Sequence, residues 1–365
     1  MPVLIALKNA KSSYFFCDPS LSLASSFARS PARIAALLAA VIVVLLIAAP
    51  WWAGRADLRL LGEIFLYLAL ASLWNLLAGY AGLVSVGQQA YVGFGGYMLF
   101  ALTMFAGLPP LLAIALAGVL GAAISVPVAA LIFRLRGAYF AIGTWVMAEV
   151  FRLSFAQISA LGGGSGTSLP TDIVRSMAEG RSAREALSYW LALGAALVVV
   201  SAVYLLLRSR KGLALTAIRD NELASASLGI DIWRTKFFVY VVTSGLTAVI
   251  GALIFLQKLR ISPDAAFSVN DWTAFVIFIV VIGGIGTLEG PIIGTLVFFA
   301  LRETLADLGT VYLMVLGLVA IVVMLKAPRG IWGFIRHRFD LQLFPLGYRV
   351  ERDTDTDTIT DTITD

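Results

Sequence analysis

The stretch GLVSVGQQAYVGFGGYMLF, residues Gly82–Phe100, places two adjacent glutamines and five glycines in a part of the chain that is otherwise apolar. Lipid hydrocarbon offers no hydrogen bonds to polar side chains or to backbone groups that leave a helix. Non-helical backbone at membrane depth is tolerated only where it is buried in protein or lines a cavity. The stretch therefore predicts a transmembrane helix that is interrupted around Gly87 and begins again near Gln88.

The overall composition predicts a membrane protein. The chain is 60% hydrophobic and 13% charged, with a mean hydropathy of +0.91, whereas soluble domains carry about 25% charged residues. The net charge of +5 does not indicate nucleic-acid binding, because the basic residues cluster beside apolar runs. Cys17 and His337 are the only cysteine and histidine, which excludes an internal disulfide and argues against a Cys/His metal site. We predict an all-α, polytopic transmembrane helix bundle without a cofactor or metal.

The apolar runs set the predicted number of spans. About ten runs approach the roughly 20 residues that cross a bilayer, and eight or nine spans are the alternatives, because the last three runs are short. The predicted spans lie at 34–53, 61–79, 86–106, 110–133, 138–158, 188–207, 236–257, 271–284, 290–306 and 311–326.

The basic residues predict the orientation of these spans. In the ten-span arrangement 18 of the 27 basic residues fall on the side of the N-terminus, which the positive-inside rule places in the cytoplasm. Residues 1–33 are predicted to be a cytoplasmic tail that can be disordered. Residues 34–330 are predicted to form the transmembrane domain. Residues 331–365 form a second cytoplasmic tail, whose acidic end DTDTDTITDTITD is too simple in composition to pack a core.

The loop at 209–236 differs from an ordinary connection. Apolar residues recur at helical spacing, while Arg219 and Glu222 lie three apart and are expected to pair. Gly229 is expected to end this helix in the left-handed conformation, and Asp231 to cap the next one. The loop is predicted to be a short amphipathic helix followed by a sharp turn. This helix either lies on the lipid headgroups or is bound by another protein. The apolar positions in this pattern are Ala214, Ala217, Ile218, Ala224 and Leu228.

Four stretches in this order resemble the branched-chain amino acid permease family of ABC importers. They are NLLAGYAGLVSVGQQAYVGFGGY (Asn75–Tyr97), RLRGAYFAIGTWVMAEVFR (Arg134–Arg152), AIRDNELASASLGID (Ala217–Asp231) and GGIGTLEGPIIGT (Gly283–Thr295). The resemblance covers about residues 60–330. Gly229 lies seven residues after Glu222, with Leu223 inserted before Ala224, so the third stretch fits this subfamily rather than ABC importers in general.

The resemblance implies a role within a larger complex. Such a permease forms half of a channel in the bacterial inner membrane beside a homologous second permease. Two cytoplasmic ATPases drive it, and a periplasmic binding protein delivers the amino acid. The chain itself has no GxxxxGK[ST] phosphate loop. The residues that this resemblance assigns to ATPase coupling are Ala217, Ile218, Arg219, Glu222, Leu228, Gly229 and Asp231.

A second set of residues is predicted to line the pathway or to belong to the broken helices. Paired, glycine-interrupted segments in the two halves of a transporter point to the translocation route, and Gly283–Thr295 mirrors Gly82–Phe100. Ala90, Gly93 and Gly96 share one helical face that would let another backbone approach. For the glutamines, hydrogen bonding between helices is the alternative to lining the pathway. The set comprises Asn75, Gln88, Gln89, Gly93, Gly96, Thr144 and Glu149.

Two other classes of function compete with an ATP-driven importer. An ion-coupled secondary transporter needs an intramembrane carboxylate, for which Glu149 is the best candidate, although Glu149 and Arg152 can simply pair. Glu63 and Glu289 are expected near the membrane interfaces. An intramembrane enzyme needs a convergent set such as HExxH, which the sequence lacks. Among importers, a permease for urea or amides is the alternative to one for amino acids.

The predicted topology can be tested with introduced cysteines. Because the loop at 209–236 is predicted to be cytoplasmic, cysteines at Ser209 and Ser227 should resist a membrane-impermeant thiol reagent added to spheroplasts. A cysteine at Ser165 should be labelled from outside. Ready labelling at both loop positions in intact spheroplasts would contradict this orientation.

Overall fold

The computed structural model describes residues 41–177, 180–305, 311–327 and 330–339. The predicted tail at 1–33 and the start of the predicted first span at 34–40 lie outside these residues. So does the predicted tail at 331–365 from residue 340 onward. Within the described segments the architecture is almost wholly helical, as the sequence predicts. A two-residue antiparallel pairing of β1 (Thr167–Ser168) with β2 (Arg260–Ile261) is the only sheet in the described part of the chain.

Fourteen described helices follow a helical segment at 41–47 and a 3₁₀ turn at Ala49–Trp51. In chain order, α1 to α14 are Arg55–Asn75, Gln88–Met104, Pro110–Ile132, Ala138–Ala156, Thr171–Met177, Arg181–Arg208, Arg210–Asp220, Glu222–Ser227, Ile232–Lys258, Pro263–Ala266, Phe275–Gly283, Gly290–Leu305, Val311–Lys326 and Gly330–Phe339.

Six described helical segments are long and apolar enough to cross a membrane. They are Arg55–Tyr80, Pro110–Ile132, Arg181–Arg208, Ile232–Lys258, Pro263–Gly283 and Met314–Phe334. The predicted count of about ten is therefore not confirmed. The difference has a physical cause, because α2 and α12 contain only 17 and 16 residues, and each follows a stretch of non-helical backbone. A helix that starts part-way through the bundle is shorter than the roughly 20 residues that cross a bilayer.

Helix α9 is the centre of the bundle. It makes its most extensive contacts with α2 and α3, while α1 pairs with α6 and α11 pairs with α12. The α2–α9 contact depends on two glycines, since a Cβ added at Gly95 would lie 1.9 Å from the carbonyl oxygen of Ala248. One added at Gly251 would lie 2.1 Å from the carbonyl oxygen of Val92. The two backbones therefore touch.

This contact corrects the predicted small-residue face of α2. Gly93 and Gly96 were expected to admit another backbone, but they face side chains instead. A Cβ at Gly93 would meet the ring of Phe267, and one at Gly96 would meet Phe255. The predicted face is therefore wrong. Gly95, which lies between these two glycines in the sequence, is the residue that contacts the backbone of α9.

Large apolar side chains cover the outside of the bundle. On α3, α4, α6 and α13 they include Val119, Val146, Val198, Leu205 and Leu318, each more than half exposed. Charged side chains are sparse on these helices. A surface of this kind fits lipid or another transmembrane subunit.

The backbone contact between α2 and α9 predicts a large difference between two glycine substitutions. Gly95→Ala should destabilise the bundle by about 1–3 kcal/mol or more, because overpacking displaces one helix from the other. Gly194→Ala in α6 is the matched control, since an added Cβ there meets nothing within 4 Å. That change should be neutral or stabilising by up to about 1 kcal/mol. Thermal unfolding of both variants in the same detergent measures the difference, and equal midpoints would contradict the packing described.

Candidate functional site

The first interruption is the turn between α1 and α2. Helix α1 ends in a π-helical turn at Leu76–Tyr80, and the following residues to Gly87 are not helical. Gly82 has a φ of +68°, which a glycine adopts without strain. The indole Nε1 of Trp74 donates to the carbonyl oxygen of Ser85 at 2.8 Å, so protein rather than lipid satisfies this backbone. The predicted restart at Gln88 is confirmed.

The second interruption lies between α11 and α12. Gly284 and Gly286 have φ values of +130° and +75°, so the chain reverses here in a conformation that other residues adopt rarely. The hydroxyl of Thr287 donates to the carbonyl oxygen of Gly284 at 2.7 Å and accepts from the amide of Gly290 at 3.0 Å. Glu289 is buried within the protein here, and its place near a membrane interface stays a prediction.

Asn75 joins the two interruptions. Its Nδ2 donates to the carbonyl oxygen of Thr287 at 2.8 Å, and its Oδ1 accepts from the amide of Gly286 at 2.8 Å. The backbones also meet directly, because a Cβ on Gly79 would lie 2.6 Å from the nitrogen of Gly286. One buried amide side chain thus satisfies backbone groups that neither helix can satisfy. The sequence placed Asn75 among the polar residues of a span but did not show that it connects the two halves.

Arg219 connects the loop at 209–236 to the same place. Its Nη1 donates to the carbonyl oxygen of Gly79 at 2.8 Å and would lie 3.3 Å from a Cβ on Gly286. Its Nε donates to Asp220 at 2.9 Å. The predicted pair of Arg219 with Glu222 is wrong, because Glu222 instead binds the ammonium of Lys236 on α9. Both side chains therefore hold the loop to the bundle.

The loop contains two short helices rather than the single one predicted. Asn221 breaks the pattern with an extended backbone, and its side chain accepts from the amide of Ala224 at 3.0 Å, which caps α8. Asparagine favours such caps over a helix interior. Gly229 has a φ of +83°, and Asp231 accepts from the amide of Arg234 at 2.9 Å. The predicted turn and cap are therefore confirmed.

The apolar positions of this loop separate into two groups. Ile218 is buried within the permease and Ala217 is partly buried, so Ile218 cannot be offered to a partner as predicted. Leu228 is 79% exposed and Leu223 is 85% exposed. Leu223 is absent from the predicted coupling residues, although a leucine among the polar and small residues of ELASAS was a usable signal.

Gln88 and Gln89 lie inside the bundle. The Nε2 of Gln88 donates to the carbonyl oxygen of Leu70 at 3.0 Å, and Thr273 donates to Oε1 of Gln89. Their other polar atoms have no hydrogen-bond partner within the described residues. Gln88 also faces a cavity of about 20 Å³ lined by Ser85, Tyr91, Tyr240 and Thr243. Both readings of the glutamines therefore stay open, since each contacts a neighbouring helix and retains an unused polar atom.

Thr144 and Glu149 both lie on α4 but make different contacts. The Oγ1 of Thr144 accepts from the amide of Val86 at 3.0 Å, which ties α4 to the first interruption. Glu149 forms a bidentate pair with Arg152 at 2.5–3.0 Å, and Arg152 also binds Asp264 at 2.8 Å. The predicted pairing is confirmed. Within the described residues, His, Cys, Asp and Glu form no group of three or more that could hold a metal.

Comparison with known protein sequences identifies the family of the chain. The sequence model of the family described as the branched-chain amino acid transport system permease component matches residues 58–325. The chain is 26% identical over 320 residues to the high-affinity branched-chain amino acid transport system permease protein LivM of Escherichia coli, covering 82% of this chain and 75% of that protein. No solved structure matches the chain.

Two further relatives show the same likeness. The LivM permease protein of Salmonella typhimurium is 26% identical over 318 residues, which is 81% of this chain and 74% of that protein. The probable branched-chain amino acid transport permease protein LivH of Methanocaldococcus jannaschii is 25% identical over 147 residues, 38% of this chain and 45% of that one. With a family model matching most of its length, and with interrupted helices joined by Asn75, this chain belongs to the permease components of branched-chain amino acid transport systems.

Proposed function

We propose that this permease forms half of the translocation pathway of an ATP-driven importer for branched-chain or related amino acids. A homologous second permease supplies the other half. Likeness to both LivM and LivH proteins supports two related permeases in one transporter. Two cytoplasmic ATPases and a periplasmic binding protein complete the proposed complex. The alternative cargo is urea or an amide.

The contact of Arg219 with Gly79 is the observation that carries this proposal. Leu223 of α8 and Leu228, the residue directly after α8, are exposed and form the surface that an ATPase would bind, as an apolar helix face fills a groove. Arg219 reaches in the opposite direction, to the carbonyl oxygen at the end of α1. Nucleotide-driven motion of the loop would therefore reach both interrupted helices through one guanidinium group. Residues 209–236 act in this scheme as the coupling loop.

The proposed complex sets the orientation of the chain. The loop must be cytoplasmic to meet an ATPase, so both termini are proposed to lie in the cytoplasm of a bacterium, with about ten spans in its inner membrane. The tails at 1–33 and 331–365 flank a single transmembrane domain at 34–330. Asn75, Gln88, Gln89, Thr144 and Glu149 are proposed to lie beside the pathway, and Gly93 and Gly96 to keep the restarted helix α2 close to its neighbours.

The ion-coupled alternative makes a different demand on Glu149. In a secondary transporter this carboxylate must exchange its partner during the cycle, whereas here it is held by Arg152. Reconstituted transporter should import labelled leucine only with hydrolysable ATP. Glu149→Gln should retain uptake within about threefold, because a half-exposed ion pair contributes little free energy. Uptake driven by an ion gradient without ATP, and lost in this variant, would establish the alternative.

Binding of the ATPase and transmission of its motion to the interrupted helices can be tested separately with two kinds of variant. Leu223→Glu and Leu228→Glu should reduce co-purification of the ATPase and abolish uptake, since they place charge in a surface that must be desolvated. Leu223→Met and Leu228→Met are the conservative controls and should behave as wild type. Arg219→Leu should keep the ATPase bound yet lower uptake at least about tenfold, because a charge-assisted hydrogen bond is removed inside the permease.

The ratio of ATP hydrolysis to uptake is the measurement for these variants. Arg219→Leu is expected to hydrolyse ATP without proportionate transport, whereas the glutamate variants should do neither. Gly229→Val, which forces a left-handed backbone on a β-branched residue at a cost of about 1–2 kcal/mol, should resemble the glutamate variants. If Arg219→Leu kept the wild-type ratio of ATP hydrolysis to uptake, the proposed transmission of motion through the Arg219–Gly79 contact would be refuted.

A further inference from the structure

A cavity of about 450 Å³ lies at the end of the bundle remote from the coupling loop. Its position follows from the helices that form it. Helix α6 enters the coupling loop at Arg208, and α9 leaves that loop at Ile232. Both helices reach the cavity with their opposite ends, near Arg184 and Lys258. At 1.5 Å per residue, helices of 28 and 27 residues separate the two regions by roughly 40 Å.

The walls of the cavity are mostly apolar. The rings of Tyr67, Tyr189 and Trp272 line it, together with the aliphatic side chains of Leu66 and Ile254. All five side chains are buried. The volume falls within the range of about 300–1,000 Å³ that is typical of small-molecule sites. A compact aliphatic group can therefore pack against this apolar wall.

The two carboxylates of the cavity are already surrounded by arginines. Glu185 lies 2.5 Å from Arg59, 3.5 Å from Arg181 and 3.7 Å from Arg55. Glu63 forms a bidentate pair with Arg302, with both bonds at 2.8 Å. Basic residues outnumber acidic ones around the cavity, so its net charge is positive.

Two of the basic side chains have no carboxylate partner within the described residues. The ammonium of Lys258 lies over the ring of Trp272, 4.6 Å from its centroid, and 5.8 Å from that of Phe255. Arg184 lines the same cavity from α6. A cation held against aromatic rings is oriented but not neutralised. The cavity thus presents fixed positive charge beside an apolar wall.

We propose that this cavity binds a small aliphatic amino acid, with its carboxylate on Lys258 and Arg184 and its side chain against Tyr67 and Tyr189. The proposal deepens the proposed function by adding a second site, on the face opposite the coupling loop. The ammonium group of the ligand faces Glu185, whose buried Oε2 lies 3.7 Å from Nε of Arg55 but accepts no hydrogen bond from the described residues. Charge of both signs at the polar end and an apolar remainder match a zwitterion with a hydrocarbon side chain.

The chemistry of the site predicts how related molecules compete. The full chain in nanodiscs of neutral phosphatidylcholine should bind labelled L-leucine in an equilibrium assay. 4-Methylpentanoate keeps the carboxylate and should compete better than 3-methylbutylamine, which keeps only the ammonium. Lys258→Gln should weaken leucine binding about tenfold or more, the scale of a lost hydrogen bond to a charged group. Arg184→Gln should act in the same direction, and Lys258→Arg should restore part of the affinity.

A matched lysine at the other end of the bundle is the control. Lys211 lies 3.4 Å from the ring centroid of Phe238, so Lys211→Gln also removes a cation from an aromatic ring but should leave leucine binding unchanged. Equal thermal midpoints for wild type, Lys258→Gln and Lys211→Gln would show that a loss of binding is not a loss of fold.

Three results would overturn the proposal. One is a wild-type chain that does not bind leucine at millimolar concentration. Another is unchanged affinity in both Lys258→Gln and Arg184→Gln. The third is co-purification of an anionic phospholipid that depends on Lys258 and excludes leucine, which would make the cavity a lipid site. ATP-driven leucine uptake, measured separately, distinguishes these failures from failure of the proposed function, because it tests the importer without assuming this cavity.

Discussion

The carbonyl oxygen of Gly79 must find a donor once α1 unwinds, and the surrounding structure is arranged around that requirement. Arg219 supplies the donor from the coupling loop, while Asn75 satisfies the facing amide of Gly286 and the carbonyl oxygen of Thr287. Leaving a buried backbone group unpaired costs about as much free energy as losing a hydrogen bond, so these contacts stabilise both interrupted helices. The loop and both halves of the bundle are therefore mutually dependent.

Close backbone contact is the second constraint, and it acts through different residues. Gly95 and Gly251 bring α2 and α9 together so that no side chain separates them. The glutamines at the start of α2 are then carried into the interior, where Gln88 binds the carbonyl oxygen of Leu70 and Gln89 binds Thr273. Each glutamine is thus held by one hydrogen bond to a neighbouring helix, while its other polar atom has no partner within the described residues.

Local sequence features predicted local structure well. The restart at Gln88, the left-handed turn at Gly229, the cap at Asp231 and the pair of Glu149 with Arg152 all follow from near neighbours in the chain. The predicted partner of Arg219, which depends on tertiary contacts, was wrong, and the predicted number of spans is not confirmed. Arg219 was paired with Glu222 by spacing, but a free carbonyl 140 residues earlier competes for it. The ten apolar runs were counted as spans because periodicity does not reveal where a helix begins inside the bundle.

Helix α9 runs without interruption from the coupling loop to the far cavity, from its cap at Asp231 to Lys258. Glycine-mediated contacts clamp its middle against two neighbours, so it has no hinge at which to bend. A rod held in this way moves by sliding or rolling along its neighbours, the behaviour described as shear. A small displacement of α9 at one membrane face would then produce a displacement of nearly the same size at the other face. The two faces are thus linked mechanically without any change in secondary structure.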